Sequence, residues 1–187
     1  MRVPNVKGSA LTSRLLWVRL NHGESGLQRL SADVSEPLRA VAETGAVHAR
    51  WYPFEMFVEL NVAIDRLFGA GDSELIRQLG RYSADANLTT IYRLFYKVGT
   101  VRWILARGPR LWGVHYDAGS LAVRYLGSYE VELEIVDFPS PHRAHCLAVM
   151  GWTERSIELS GGIKVKTQEV SCRADGGQRC RFRVRWE

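Results

Sequence analysis

Tyr129-Glu130-Val131-Glu132-Leu133-Glu134-Ile135 alternates strictly between acidic and apolar side chains after its first residue. Successive side chains of a β-strand point to opposite faces, so this segment would place its carboxylates on one face and its apolar side chains on the other. Cys180-Arg181-Phe182-Arg183-Val184-Arg185-Trp186 alternates in the same way, with arginines on its polar face. Those arginines could lie opposite the carboxylates across an antiparallel sheet, or they could bind phosphate.

A third alternating stretch, Ile163-Lys164-Val165-Lys166-Thr167, predicts another strand of the same sheet. Between the strands, residues 141–161 carry apolar side chains at helical intervals and end at Gly161-Gly162. The order of these elements is hairpin, helix, hairpin. We therefore expect an antiparallel sheet with one face in solvent and the other packed on helices.

Residues 1–116 are predicted to be mainly helical and residues 117–187 mainly strand, with the change at Asp117-Ala118-Gly119. Helix ends are predicted near Gly23 and at Gly45, because glycine commonly terminates a helix. The predicted fold class is therefore α+β, with an N-terminal helical layer packed on a C-terminal antiparallel sheet of two hairpins and an intervening helix. The helical period is clearest at Leu27, Leu30, Val34, Leu38 and Val41.

Length and composition indicate a single globular domain spanning residues 1–187. The first residues contain no apolar segment typical of a signal peptide, and no apolar run is long enough to span a membrane. A cytoplasmic location is therefore expected, in which cysteines stay reduced. The net charge of +5 is modest and the basic residues are spread along the chain, so nucleic acid is not an expected partner.

Cysteine occurs three times, always in the last quarter of the chain, at Cys146, Cys172 and Cys180. With Glu169 these residues offer three thiolates and a carboxylate, which is a complete tetrahedral set for a structural Zn²⁺. An Asp-Gly-Gly turn would bring Cys172 and Cys180 together. Three buried free thiols are the alternative. Strand alternation places Glu169 and Cys172 on opposite faces, so both can bind one metal only if the strand bulges or ends nearby.

Aromatic residues are frequent and could line an apolar pocket for a small apolar or aromatic molecule. The alternative for each of them is a place in the core between helices and sheet. His142 and His145 flank Cys146 and could supply nitrogen ligands to a metal or to haem, so haem is left open as a cofactor. The pocket candidates are Trp51, Tyr92, Trp103, Trp112, Tyr116, Tyr125 and Trp152.

The C-terminal third resembles the 4-vinyl reductase domain, a bacterial small-molecule-binding module. The resemblance is carried by Ser128-Tyr129-Glu130, by Cys146 with Gly151-Trp152, by Glu169-Val170-Ser171-Cys172, and by Gly177 and Cys180 with Phe182. It implies that Cys146, Glu169, Cys172 and Cys180 hold a structural zinc. The helical part looks more like a bacterial paralogous family of about this length and of unknown function.

The wider superfamily of this domain includes haem-binding nitric-oxide sensors, so the resemblance implies a ligand-binding domain that is often dimeric. Phenol-responsive members carry a histidine and a tryptophan where this chain has Lys97 and Tyr125. That difference argues against phenol sensing. We therefore expect a non-enzymatic sensory domain with an apolar pocket, a structural zinc and a homodimeric state. A protein-interaction scaffold and a reductase of tetrapyrrole vinyl groups are the alternatives; no catalytic residue is assigned.

Overall fold

The computed structural model describes residues 3–86 and 100–187. It confirms the α+β class, with helices before the C-terminal sheet and one helix between its two hairpins. The elements are β1 (Asn5–Lys7), α1 (Gly8–Asp33), α2 (Glu36–Thr44), β2 (Trp51–Pro53), α3 (Phe54–Phe68), α4 (Glu74–Ala86), α5 (Val101–Leu105), α6 (Gly108–His115), β3 (Ser120–Tyr125), β4 (Glu130–Val136), α7 (Arg143–Leu159), β5 (Lys166–Ser171) and β6 (Cys180–Arg185).

The C-terminal sheet is antiparallel, in the order β3-β4-β6-β5. Its register pairs Glu132 with Arg183 and Glu134 with Arg181, so the arginine face of β6 meets the acidic face of β4. Opposite charges directly across two strands stabilise the pairing. Glu132 also accepts a hydrogen bond from Arg124 of β3, at 2.6 Å. The arginines of β6 are therefore used within the sheet, which answers the question that their alternation left open.

The strand predicted from Ile163 begins later than expected. Lys164 has a φ of 50°, in the left-handed region, so residues 163–165 cannot continue the strand. β5 instead runs from Lys166 to Ser171 and contains an irregularity between Glu169 and Ser171. The alternation of Ile163-Lys164-Val165 was therefore misleading, because a short alternating segment does not reveal a positive φ.

The helical part follows the predicted breaks with one adjustment. Gly23, at φ 67°, has a non-helical backbone where the helix end was predicted, and after this kink the chain continues as helix to Asp33. Pro37 lies in the first turn of α2, where a missing N–H costs nothing. Gly45 closes α2 and donates its N–H to the carbonyl of Val41, at 2.9 Å. None of the helices within residues 3–86 and 100–187 is long and apolar enough to cross a membrane.

A small second sheet joins the beginning of the chain to the start of the large sheet. β1 pairs with β2 in antiparallel register. Asn5 donates its backbone N–H to Asp117 Oδ1 at 2.7 Å and its side-chain amide to Asp117 Oδ2 at 2.9 Å. Val6 forms an isolated bridge with Tyr116. The point at which the sequence changes from helical to strand periodicity is thereby held against the N-terminal segment.

Helices α4 and α7 cross with almost no side chain between them. A Cβ atom built on Gly80 would lie 2.2 Å from the carbonyl oxygen of Ala148, and one on Gly151 would lie 2.0 Å from that of Arg77. Both separations are far below van der Waals contact, so each helix places a glycine against the backbone of the other. Ion pairs flank the crossing, including Arg77 with the buried carboxylate of Glu154.

We predict that Gly151→Ala lowers the free energy of unfolding by at least about 2 kcal/mol, since overpacking typically costs 1–3 kcal/mol. Gly80→Ala should act in the same direction. Gly113→Ala in α6 is the matched control, because a Cβ there meets nothing within 4 Å. That control should stabilise the protein slightly, by about 0.5–1 kcal/mol. Chemical denaturation of the three variants measures the difference, and equal stabilities would contradict the close crossing.

Candidate functional site

A partly enclosed cavity of about 70 Å³ lies where the helical layer meets α7. Its wall is built by α1, α3, α4, α6, α7 and the first residues of β3. Most of the wall is apolar, with Phe57, Leu111, Leu121 and Val149 among the contributing side chains. The cavity therefore has the general character of a small-molecule site, an apolar space with a few polar groups in its wall.

Helix α7 supplies one side of the cavity through Ala148, Val149, Trp152 and Thr153. The first two residues and the last two are separated by about one helical turn, so all four lie on one helical face. The same stretch contains Gly151, which lies against the backbone of Arg77 in α4. The close crossing of α4 and α7 thus fixes this wall of the cavity.

Arg14 is the charged residue in the cavity wall, and it is 3% exposed. Its Nε donates to Asn61 Oδ1 at 3.2 Å, and its Nη1 donates to Ser13 Oγ at 3.1 Å and to Ser83 Oγ. The guanidinium lies over the ring of Phe57, with its carbon 4.9 Å from the ring centroid. Burial lowers the pKa of Arg14 to about 10, so it remains protonated at neutral pH.

His115 and Tyr116 add polar groups to the same wall. Burial, together with the charge of Arg14, lowers the pKa of His115 to about 4, so this imidazole is neutral at pH 7. Burial raises the pKa of Tyr116 above its ordinary value, and this phenol is also uncharged. The positive charge of Arg14 is therefore surrounded by neutral polar groups.

The cavity includes part of the aromatic set predicted from the sequence. Trp112, Tyr116 and Trp152 line it. Trp112 is also anchored through its Nε1, which donates to the carbonyl of Ala118 at 2.9 Å. These three aromatic residues come from the end of α6 and from α7, two segments that are distant in sequence.

Three further candidates lie away from this cavity. Trp51 is 38% exposed and carries the ammonium group of Lys7 over its ring, at 4.0 Å. Trp103 stacks with Arg107, and the Tyr125 hydroxyl donates to the carbonyl of Arg102 at 3.0 Å. Each of these three aromatic side chains contacts a cationic side chain or a backbone carbonyl, and none of them lines the cavity. Tyr92 and Lys97 lie outside the described residues.

The three cysteines converge beside the sheet. Their sulfur atoms all lie within 4.8 Å of one another, and those of Cys146 and Cys172 are 3.6 Å apart. Two sulfurs bound to one tetrahedral zinc at 2.3 Å would be about 3.8 Å apart. The observed spacing therefore suits a common cation. All three thiols are buried and none forms a disulfide.

The elements that carry the cysteines explain this convergence. Cys146 lies in the first turn of α7, Cys172 directly follows β5, and Cys180 begins β6. A 3-10 turn at Arg173–Asp175 and left-handed Gly176 reverse the chain, as the Asp-Gly-Gly sequence predicted. Gly177 then donates its N–H to the carbonyl of Cys172 at 2.8 Å.

Burial and mutual proximity make it harder for the thiols of Cys146 and Cys180 to lose their protons. Burial, together with the neighbouring Cys180 and Cys172, raises the pKa of Cys146 above its ordinary value. Burial likewise raises the pKa of Cys180. The backbone N–H of Arg173 donates to the sulfur of Cys180 at 3.3 Å, and such a bond favours the thiolate. A bound cation would stabilise all three thiolates, as metal binding requires.

Glu169 is next to this cluster but not part of it. Its carboxylate pairs with Arg143, which also forms an ion pair with Asp175 at 3.3 Å. Strand alternation alone would place Glu169 and Cys172 on opposite faces. The irregularity between Glu169 and Ser171 and the end of β5 at Ser171 interrupt this alternation, so Glu169 and Cys172 can face one site. The structure thus brings three of the four predicted ligands together and places the fourth beside them, held by an arginine.

Neither histidine near Cys146 joins the thiol cluster. His142 caps α7, its Nδ1 accepting from the N–H of Ala144 at 3.1 Å. His145 is buried in an aromatic cluster with ring-centroid distances of 4.7 Å to Phe138 and 4.8 Å to Tyr116. Its Nε2 has no hydrogen-bond partner among the described residues. The prediction that these histidines could supply metal ligands therefore finds no support in their positions.

Sequence reasoning missed Arg14, although a signal was present. Leu11, Leu15 and Val18 recur at helical intervals and are buried in α1, and Arg14 falls within the same stripe. A charged residue on a buried helical face needs a partner or a purpose, since an isolated buried charge is costly. His115 and Ser83 carried no such signal in the sequence.

Comparison with known proteins finds structural neighbours only. No family model and no curated protein matches this chain. Among solved structures, an H-NOX protein from S. oneidensis in the Fe(II)NO state has a TM-score of 0.74 at 12% identity, covering 97% of this chain and 99% of that one. An unliganded Fe(II) H-NOX protein from K. algicida has a TM-score of 0.72 at 10% identity, covering 97% and 96%.

A third neighbour is an oxygen-binding H-NOX domain related to soluble guanylate cyclases, with a TM-score of 0.68 at 13% identity, covering 97% of this chain and 95% of that one. The protein has the H-NOX fold. At these identities the likeness establishes fold and leaves function to the site. The 4-vinyl reductase name that the sequence resemblance suggested is not confirmed.

Haem is named for two further neighbours, in connection with distortion of the porphyrin and with its redox potential. In the present protein the cavity measures about 70 Å³, whereas pockets for drug-sized ligands span about 300–1,000 Å³. A haem is at least as large as such ligands and does not fit the space that the described residues enclose. His115 is a neutral imidazole in the wall of this cavity.

We predict that His115 titrates with a midpoint near pH 4 and that Arg14→Gln raises this midpoint, because the variant removes a positive charge. Proton NMR of the imidazole ring, assigned with His115→Gln, measures both. Since the folded pKa lies below the unfolded value of about 6.5, His115 contributes stability that is present above about pH 6.5 and is lost as the pH falls towards 4. A midpoint above pH 6 would contradict the buried position.

Proposed function

We propose that this protein is a non-enzymatic sensory domain that binds a small molecule in the cavity between the helical layer and α7. The observation that carries the proposal is the cavity itself, an apolar space with a buried cation and neutral polar groups in its wall. The H-NOX fold supports it, since the neighbours include an oxygen-binding domain and an Fe(II)NO complex.

The two alternative functions receive less support. A scaffold would need a solid core and an exposed apolar surface, whereas this core contains a cavity of about 70 Å³. For the reductase, no residue has been placed in a catalytic role, and the cavity is small for a tetrapyrrole. A homodimeric state stays a prediction.

We predict that xenon binds the cavity of the wild-type protein and that Leu111→Trp prevents this binding. Apolar cavities of comparable kind take up xenon, and the larger indole would fill the space that half-buried Leu111 borders. Xenon-129 NMR measures the binding. Leu111→Met is the matched control, because it nearly conserves volume and should bind xenon as the wild type does.

Retained xenon binding in Leu111→Trp would show that the atom binds elsewhere. Absence of binding in the wild type would contradict an accessible apolar cavity. Native mass spectrometry of the purified protein complements the test, because it detects a co-purified small molecule and counts subunits in the same measurement.

We further propose that the cysteine cluster holds a structural zinc through Cys146, Cys172 and Cys180, with Glu169 as the fourth ligand. The convergence of three buried thiols supports this proposal. A zinc ion here would join the start of α7 to the β5–β6 hairpin, and its binding free energy would add to the stability of the fold. Arg143 would hold the Glu169 carboxylate beside the site.

We predict one zinc per chain and a fall in Tm of roughly 8–16 °C for Cys172→Ser. The estimate takes about 4 kcal/mol of stabilisation for zinc at a thousand times its Kd and about 2–4 °C per kcal/mol for a domain of this size. Metal analysis and thermal unfolding with and without a chelator measure these effects. The chelator should destabilise the wild type and leave Cys172→Ser unchanged.

Glu169→Gln serves as the companion variant, because it keeps all three thiols. A carboxylate that binds or orients at a metal site is worth about 10–100-fold in metal affinity. We therefore expect weaker zinc binding with the cluster intact. Less than a tenth of an equivalent of zinc in the wild type, or the same chelator effect in Cys172→Ser and wild type, would contradict the zinc site.

A further inference from the structure

We infer that the ligand of the cavity is a short-chain carboxylate whose negative charge is received by Arg14. This inference rests on the proposed function, because it specifies the chemical class that the same cavity takes. Three properties of the wall support it: an uncompensated buried charge, unused hydrogen-bond donors and a volume suited to a few non-hydrogen atoms.

Arg14 has no counter-ion. Within residues 3–86 and 100–187, no carboxylate forms an ion pair with Arg14. Buried and half-buried carboxylates such as Glu154, Glu132 and Glu130 pair with other arginines. The remaining residues, 1–2 and 87–99, contain no Asp or Glu in their sequence. A buried charge without a partner is costly, because the desolvation of the ion is not compensated. A bound anion would relieve that cost at Arg14.

The hydrogen bonds of Arg14 leave donors for a ligand. A guanidinium has five N–H donors. The bonds to described residues use Nε and Nη1, with Asn61, Ser13 and Ser83 as acceptors. Asn61 and Ser83 are themselves fixed, since Asn61 Nδ2 donates to the carbonyl of Phe57 and Ser83 Oγ donates to that of Leu79. The arginine is therefore held through Nε and Nη1, and no described residue accepts a hydrogen bond from its Nη2.

The size of the cavity limits the ligand. A water molecule needs about 10–15 Å³ measured in the same way, so about 70 Å³ holds roughly five water-sized groups. Propionate and butyrate have sizes in this range. An engineered cavity that binds benzene has a volume of about 150 Å³, about twice the volume here, so we expect an aromatic acid to exceed the available space.

The apolar wall distinguishes a carboxylate from an inorganic anion. Phe57, Leu111, Leu121 and Val149 surround the space next to Arg14. Phosphate or sulfate would leave most oxygen atoms without donors against these side chains, which is costly. A carboxylate with a short alkyl chain places its two oxygens at the guanidinium and its carbons against the apolar wall.

Isothermal titration of propionate and of propionamide into the full-length protein tests the inference. The two probes have nearly the same shape and differ in charge. We expect propionate to bind at least tenfold more tightly than propionamide, and butyrate to bind at least as well as propionate. Benzoate and nitrate should bind at least tenfold more weakly than butyrate, because one is too large and the other lacks the alkyl chain.

Two variants locate the binding. Arg14→Gln, which keeps side-chain hydrogen bonding but removes the charge, should lose at least tenfold in propionate affinity. Arg110→Gln is the matched control, because Arg110 lies exposed on α6 and its loss changes the net charge by the same amount. The control should bind propionate as the wild type does. If Arg14→Gln does not fold, the comparison of propionate with propionamide in the wild type still decides.

The outcomes separate this inference from the proposed function. Equal binding of propionate and propionamide, both lost in Leu111→Trp, would overturn the anion preference and support the pocket. Nitrate binding as tightly as butyrate, or equal loss in Arg14→Gln and Arg110→Gln, would overturn the short-chain carboxylate at Arg14. Failure of propionate, propionamide and xenon alike to bind the wild type would overturn both proposals.

Discussion

The close crossing of α4 and α7 is the constraint on which the rest of the structure depends. Gly80 and Gly151 let the two backbones approach until no Cβ fits between them. This approach fixes the position of α7, and α7 carries both the cavity wall and Cys146. Ion pairs between Arg77 and Glu154 and between Arg81 and Glu158 close the edges of the crossing. The cavity and the thiol cluster therefore depend on the same helix.

The buried charges of Glu154 and Arg14 have different partners. Glu154, 3% exposed, receives Arg77 and Arg81, so its charge is compensated within the protein. Arg14, equally buried, donates only to neutral acceptors among the residues that the structure describes. The first arrangement stabilises an interface, because each charge has a partner. The second leaves a cation in the wall of an apolar cavity, which is the chemical basis of the ligand class that we infer.

The likeness to H-NOX structures shows that a fold can be kept at very low sequence identity when the pattern of apolar and polar residues is kept. Identities of 10–15% accompany TM-scores of 0.66–0.74 over nearly the whole chain. What is shared at that level is the arrangement of helices on an antiparallel sheet, which depends on hydrophobic periodicity more than on residue identity. Sites depend on particular side chains, and the space that the described residues enclose is smaller than a haem would require. Fold and ligand must therefore be argued separately.

The sequence by itself determined the α+β class, the alternating charged faces of β4 and β6, and the glycine turn that brings Cys172 and Cys180 together. Each follows from local periodicity or from a short motif, which act between near neighbours in the chain. The tertiary structure alone decided that Lys164 interrupts the strand, that Trp112 and Trp152 share a cavity while Trp51 does not, and that Arg14 has no counter-ion. These facts depend on which distant segments meet, because burial and charge compensation are properties of the packed molecule. Periodicity can place Arg14 on a buried face, but only the packed neighbours show that nothing there neutralises it.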